Sequence, residues 1–369
     1  MASLSRFEVT PQCLRQLRRD YLQFENKIMD VVYENKKIIL KDHSAFFNKI
    51  IVNYIKYLKA LPKAENSFSP FELLLDELIK NLHESNYYTT KEFSSKNGME
   101  IKSESEKAIK KIQAELLKRM DDNYRPPRYN GWDNYIISAI LDRYTKLPTI
   151  EREKISCWEI YTQISGLRLE NNKETRIYEV KYKTADNKVT TYNFKPYILG
   201  IDESSLSFYL VGLSKKPDED EQKSSPFTLK LLRIIDLEDT GVSFHFEKDE
   251  RNRLRELISR YGYAYIRSDL IKEEEEIIQV KLTKKGYNMF LNVITRQRPL
   301  PTAVEEHEKY HILKFDCSEK QIENYFHNFG KEAEIIKPQK LRSKFAKFYK
   351  NATKLYEQDY INEKAMDGD

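Results

Sequence analysis

After Asn171-Asn172 the apolar residues of this 369-residue chain stop recurring at helical spacing and begin to alternate. Ile177, Tyr178, Val180 and Tyr182 mark one strand. Val189, Tyr192 and Phe194 mark the next, joined to it through Ala185-Asp186-Asn187-Lys188. Pro196-Tyr197-Ile198-Leu199-Gly200 and Phe208-Tyr209-Leu210-Val211-Gly212 follow. After an acidic loop at 217–222 comes Phe227-Thr228-Leu229-Lys230-Leu231-Leu232-Arg233-Ile234. A period of two puts alternate side chains on opposite faces of a strand, and short strands at this spacing predict a small barrel.

The residues before this run carry helical spacing. Arg6-Phe7-Glu8-Val9-Thr10 alternates as a short strand would, and Pro11 then opens a helix with Leu14, Leu17, Tyr21, Phe24, Ile28 and Val31 or Val32 on one side. Ser44 is the expected N-cap of a second helix carrying Phe47, Ile50, Ile51, Tyr54, Ile55 and Leu58. Strand, helix and helix together resemble the ribbon-helix-helix family of dimeric DNA-binding modules. That resemblance implies a ribbon whose outward residues are Arg6, Glu8 and Thr10, with helix N-termini holding phosphates. Glu8 departs from it, because phosphates repel a carboxylate facing a groove. A plain helical hairpin packed on the rest of the chain fits the same residues.

Further helices are expected after Ser69-Pro70, at 108–120, at 132–144 and from Pro148 through Ile155 and Trp158. A polar loop or hairpin fills 85–103, and the two prolines and glycine of 124–131 mark a linker. Cys13, Cys157 and Cys317 are scattered, so neither a disulfide framework nor a zinc site is expected; His307 and His311 read as a surface pair. No P-loop, GxGxxG, HExxH or GxSxG is present, and no cofactor, metal or catalytic role is expected. The longest apolar runs are interrupted by charged residues, and no leader-like stretch opens the chain, which predicts a cytoplasmic protein with no membrane association. Net charge is only +5, from 63 Lys+Arg against 58 Asp+Glu, so any polyanion site must come from clustering. The 25 Tyr and 18 Phe, often beside Lys or Arg, suit stacking on single-stranded nucleic acid, and an A/T-rich coding bias accounts for them equally well.

The strand run resembles the WYL-domain family. Pro196-Tyr197 and Tyr209-Leu210-Val211-Gly212 match its motifs in order, and Lys230 and Arg233-Ile234 fall where the family places basic residues. Phe208 stands in for the signature tryptophan, while Phe227 and Leu232 replace an arginine and an aspartate, so part of the family's charged pocket is missing. The segment from Phe329-Gly330-Lys331 through Pro338, Leu341 and Arg342 resembles the family's C-terminal extension, preceded by a strand, helix and two strands at 276–314, a helix at 318–329 and a strand at 334–336. The resemblance covers residues 130–357.

The resemblance implies an α+β multidomain protein. Its expected parts are a ribbon-helix-helix-like region at 1–60, a helical connector at 61–170, an Sm-like WYL β-barrel at 171–245 and an α+β extension at 246–369 that serves dimerisation. The layout is similar to the WYL accessory proteins of type VI-D CRISPR systems. It implies a homodimer that binds single-stranded RNA and enhances an RNA-guided CRISPR effector nuclease. The alternative is a ligand-responsive regulator that reads DNA through its N-terminal region, and a pure protein adaptor is a third reading. By matching position, the expected nucleic-acid contacts are Tyr182, Lys183, Tyr197, Tyr209, Lys230 and Arg233, with Arg6 on the ribbon. Strand alternation allows Tyr182 and Tyr209 to be core instead. The basic run Lys337, Lys340, Arg342, Lys344, Lys347, Lys350 and Lys354 reads as a solvated helix face or an RNA-facing edge.

Overall fold

The computed structural model describes residues 4–25, 27, 31–34, 37–40, 43–63, 68–83, 96–100, 103–120, 132–167, 169, 174–202, 205–215, 224–266, 277–292 and 298–366. The expected linker at 124–131 and the acidic loop at 217–222 lie outside them. The chain forms two compact units, residues 1–163 and 164–369.

The first unit runs β1 (Leu4–Glu8), α1 (Pro11–Glu25), β2 (Val31–Glu34), β3 (Lys37–Leu40), α2 (Ser44–Ala60), α3 (Pro70–His83), β4 (Lys96–Glu100), α4 (Ser103–Arg119), α5 (Trp132–Lys146) and α6 (Thr149–Ser156). Helix α7 (Trp158–Gly166) spans the division. One core runs from Val9 to Ile155, so the segments 1–60 and 61–170 contribute to the same interior. Helix α2 is its axis. Phe46, Phe47, Ile50, Ile51, Tyr54, Ile55, Tyr57 and Leu58 are buried on a wide apolar face, and the narrow stripe Ala45, Lys49, Lys56 and Lys59 meets solvent. Asn53 pays this burial no penalty, because its amide donates to the Ile155 carbonyl at 2.9 Å. Ser69 and Glu72 cap α3 reciprocally, the Glu72 carboxylate accepting from the Ser69 N–H at 2.7 Å, with Pro70 in the first turn.

Three details correct the strand–helix–helix reading. Helix α1 stops at Glu25, and Val31 and Val32 belong to a β2–β3 hairpin inserted before α2. The residue preceding α2 is His43, and it makes no side-chain cap. Strand β1 pairs with β4 of the same chain, Leu4 opposite Glu100 and Glu8 opposite Lys96. In a ribbon-helix-helix dimer that strand pairs across subunits; here one of its edges is occupied from within.

The second unit opens with β5 (Glu174–Lys183), β6 (Val189–Asp202), β7 (Ser207–Lys215), β8 (Ser225–Lys230), a 3-10 turn (Leu231–Arg233) and β9 (Ile234–His245). These form one antiparallel sheet in the order β8-β7-β6-β5-β9. Strand β6 is long because it serves two neighbours: its first half pairs with β5 and its second with β7. The register slips between Pro196 and Ile198, where proline has no N–H to give the ladder. The sheet is strongly curled. In a flat five-stranded sheet its edge strands would lie about 19 Å apart. A three-residue 3-10 turn, spanning roughly 6 Å, nevertheless joins β8 to β9. The edges therefore approach at that end, although β8 and β9 are not hydrogen-bonded neighbours and no closed barrel forms among the described residues.

Helix α8 (Lys248–Tyr261) packs Leu254, Leu257 and Tyr261 against Val211 and Leu213 of this sheet and against Phe246, which follows β9. A Glu247–Glu250 capping box starts it, and Gly262 at φ 72 ends it, a conformation glycine adopts without strain. The remainder runs β10 (Ile278–Thr283), α9 (Lys284–Asn292), β11 (Pro301–Glu306), β12 (Tyr310–Phe315), α10 (Glu319–Phe326), β13 (Ala333–Lys337) and α11 (Gln339–Met366). Its antiparallel order β11-β12-β10-β13 is a βαββαβ, ferredoxin-like topology. Val280, Leu282, Leu313 and Phe315 of the sheet share its core with Phe290, Phe326 and Phe345 of the helices. The molecule is thus α+β and multidomain, as expected from the period change and the elements after 276.

Candidate nucleic-acid interface

Strand β5 ends at Lys183 and β9 begins at Ile234, and the register pairs Tyr182 with Ile234. Lys183 and Arg233 therefore both lie one residue beyond that rung, at the end of the sheet where the 3-10 turn crosses. The turn also settles the relation of Lys230 to Arg233. They do not share a continuous strand; Lys230 closes β8 and Arg233 closes the turn. The Tyr182 hydroxyl accepts from the Lys230 N–H at 3.3 Å, tying β5 to the end of β8.

Charge along the β5–β9 ladder is neutralised except at that end. Arg176 meets Asp239 at 2.7 Å, and Lys181 meets Asp236 at 3.2 Å and Glu238 at 3.3 Å. Hydrogen bonds to those two carboxylates hold the Lys181 ammonium above the ordinary lysine range. The Gly241 N–H and Arg176 hold Asp239 below the ordinary aspartate range. Lys183 and Arg233 are half-exposed and have no acidic partner among the described residues.

The expected tyrosines divide. Tyr182 is buried, edge-on to Tyr192 at 6.2 Å, and is a core residue with a polar tip. Tyr209 is half-buried opposite Lys230, its hydroxyl 3.4 Å from the Ser205 hydroxyl. Tyr197 packs edge-on to Phe246 at 5.4 Å, and its hydroxyl accepts from Arg255 Nε of α8 at 3.0 Å. Arg6 lies on β1 opposite Gly98, in the other unit; its side chain is outside the described residues. Lys183, Lys230, Arg233 and Tyr182 are brought together, Tyr197 is drawn instead to α8, and Arg255 was not legible as its partner at 58 residues' separation. Removing the tie at Tyr182 gives a modest, local effect: Tyr182→Phe is expected to lose about 0.5–1.5 kcal/mol of stability in urea titrations.

The chain is similar in fold to a solved CRISPR Cas-related protein. That crystal structure superposes with a TM-score of 0.61 at 17% identity, covering 97% of this chain and 95% of the other. The likeness shows the fold and no more. Proteasome accessory factor B/C of Arthrobacter aurescens superposes at a TM-score of only 0.24, with 11% identity over 84% of this chain and 54% of that one. No family model and no curated protein matches the sequence.

Other features expected from sequence take definite places. Cys13, Cys157 and Cys317 are free thiols. His307 stacks on Tyr310 at 4.4 Å and His311 on Tyr287 at 3.9 Å, so the two histidines engage different rings. Among the described residues no cluster of His, Cys, Asp or Glu is arranged to hold a metal ion, and no helix is long and apolar enough to cross a membrane. On α11, Arg342 is tied to Glu334 at 2.7 Å and Lys344 to Glu319 at 2.8 Å, while Lys340, Lys347, Lys350 and Lys354 are exposed.

Proposed function

We propose that the curled sheet is an Sm-like barrel of the WYL kind that binds single-stranded RNA, in a homodimeric accessory protein that raises the activity of an RNA-guided CRISPR nuclease. Its role is binding rather than catalysis. The observation that carries this reading is the meeting of Lys183 and Arg233 beyond one rung, without a carboxylate partner among the described residues, on a β5–β9 ladder whose other cations, Arg176 and Lys181, are neutralised. Two unpaired cations at a half-exposed edge suit phosphates, and Lys230 and Tyr209 across the neighbouring strand pair extend the same edge. Similarity in fold to a CRISPR Cas-related protein supports the setting. The pairing of β1 with β4 weighs against the N-terminal strand acting as an operator-reading ribbon.

The test is direct binding of a short unstructured RNA and of duplex DNA to the full chain. RNA is expected to bind more tightly. Lys183→Gln with Arg233→Gln should weaken RNA binding roughly tenfold at 0.1 M salt and flatten the salt dependence by about 1.4, from about 0.7 per phosphate contact on a single strand. Tighter binding to duplex DNA, or an unchanged RNA affinity in the double variant, overturns the proposal.

A further inference from the structure

Helix α8 carries Lys248, Arg251 and Arg255 at spacings of three and four, which places them along one side of the helix over about 10 Å. Asn252 and Ser259 share that side. The acidic residues Asp249, Glu250 and Glu256 fall elsewhere on the wheel, and Glu250 is engaged in the capping box. None of the three cations has an acidic partner among the described residues, in contrast to Arg176 and Lys181 of the sheet and Arg260 at the end of the same helix, which are ion-paired. Lys248 and Arg255 are exposed. The Arg251 Nε is buried yet has no hydrogen-bond acceptor among the described residues. Arg255 spends only Nε on the Tyr197 hydroxyl, leaving both terminal nitrogens of its fork for another oxygen.

We propose that this side of α8, with Tyr197, is a second track for the phosphodiester backbone of a single-stranded nucleic acid. The proposal rests on the reading of the curled sheet as an RNA-binding element, and adds residues outside it. Arginine forks suit phosphate oxygens in a way that a solvated lysine face does not, because they give paired donors in fixed geometry. The Tyr197 hydroxyl orients the Arg255 fork, and Leu254 and Leu257 on the buried side fix the helix against the sheet, so the donors are preorganised on a rigid element. Tyr197 thus serves as a positioning residue for Arg255, a role distinct from base stacking.

The experiment measures anisotropy of a fluorescein-labelled oligouridine with the full chain, in three variants at several salt concentrations. Arg251→Gln with Arg255→Gln should raise Kd about tenfold or more at 0.1 M salt and lower the salt slope by about 1.4. Lys248→Glu, on an exposed residue, should raise Kd with no change in thermal melting. Tyr197→Phe should raise Kd while leaving the salt slope unchanged, since no cation is lost. An α8 double variant that binds like wild type overturns the track, even if Lys183→Gln with Arg233→Gln loses binding and the curled-sheet reading stands. Loss in the α8 variant with wild-type binding in the sheet variant supports the track and overturns the sheet site. Equal loss of affinity for oligouridine and for an unrelated polyanion such as heparin, with no separate effect of Tyr197→Phe, overturns the single-strand assignment.

Discussion

Arg152→Ala is expected to destabilise the first unit by about 3–5 kcal/mol, the range for removing one partner of a buried ion pair. Arg152 Nε donates to Asp20 Oδ2 at 2.8 Å, and both side chains are buried. Gln16 donates to the other carboxylate oxygen at 2.8 Å, and Arg152 also reaches the Leu147 carbonyl and, at 3.3 Å, the Thr149 hydroxyl. Alanine would strand the Asp20 carboxylate in the interior without its cation, leaving neutral donors such as Gln16. The deficit should also depend on pH. Burial raises the Asp20 carboxyl above its ordinary value of 3.8, with Arg152 and Gln16 pulling it back. A raised acid binds more protons folded than unfolded, so its contribution to stability falls as pH climbs above 3.8. Without Arg152 the folded value rises further, and the penalty grows toward neutral pH. Acidification toward 3.8 is therefore expected to narrow the gap between variant and wild type. The chain has two tryptophans, Trp132 and Trp158, both in the first unit, so tryptophan fluorescence during urea unfolding reads the right part of the molecule. A gap that is constant with pH, or a loss below 1 kcal/mol, would contradict this account of the pair.

Phe194→Ala should cost a similar amount, about 3–5 kcal/mol, in the second unit. Phe194 is fully buried at the point where β6 changes partners, opposite Tyr178 on β5 and Ser214 on β7. Its ring also lies beneath Gly212, where an added Cβ would run into that ring and into the Lys195 carbonyl. The space is closed from both sides. Truncating the ring opens a cavity at the bend of the long strand, and relaxation is blocked by the backbone of its neighbours. The loss should appear in the tyrosine near-ultraviolet dichroism of the sheet, while the tryptophan transition of the first unit stays in place. A near-ultraviolet transition unmoved by the substitution would mean that the bend is not organised around this ring.

The legibility of this fold in its sequence followed the strength of local signals. Strands β5, β6 and β7 alternate cleanly, and the elements after 276 carry both period and caps, such as the Ser318–Gln321 box that starts α10. The β2–β3 hairpin was hidden because Val31 and Val32 continue the helical spacing of α1, and only their pairing with Ile39 and Leu40 decides for strand. Strand β4 reads as Lys-Asn-Gly-Met-Glu, with no apolar alternation to reveal it. Strand β9 does not show in the sequence, where Phe227 to Ile234 reads as one closing strand; its acidic residues face Arg176 and Lys181 across the ladder, so its exposed side outweighs Ile234 and Leu237. Trp158 belongs to α7, since the helix from Thr149 breaks at Cys157. At the interface, matching to the WYL-domain pattern singled out Lys183 and Arg233; their adjacency needed the register, and the engagement of Tyr197 by α8 needed the fold.

The pairing of β1 with β4 has a consequence for biosynthesis. Leu4 must wait for Glu100, and at 5–20 residues per second the ribosome takes roughly 5–20 s to deliver that partner. Throughout that interval residues 4–8 lack the segment they pair with in the folded chain. Polysomes translating this message would thus hold many copies of that segment before its partner is made, a long-range pairing of the kind that completes late in synthesis.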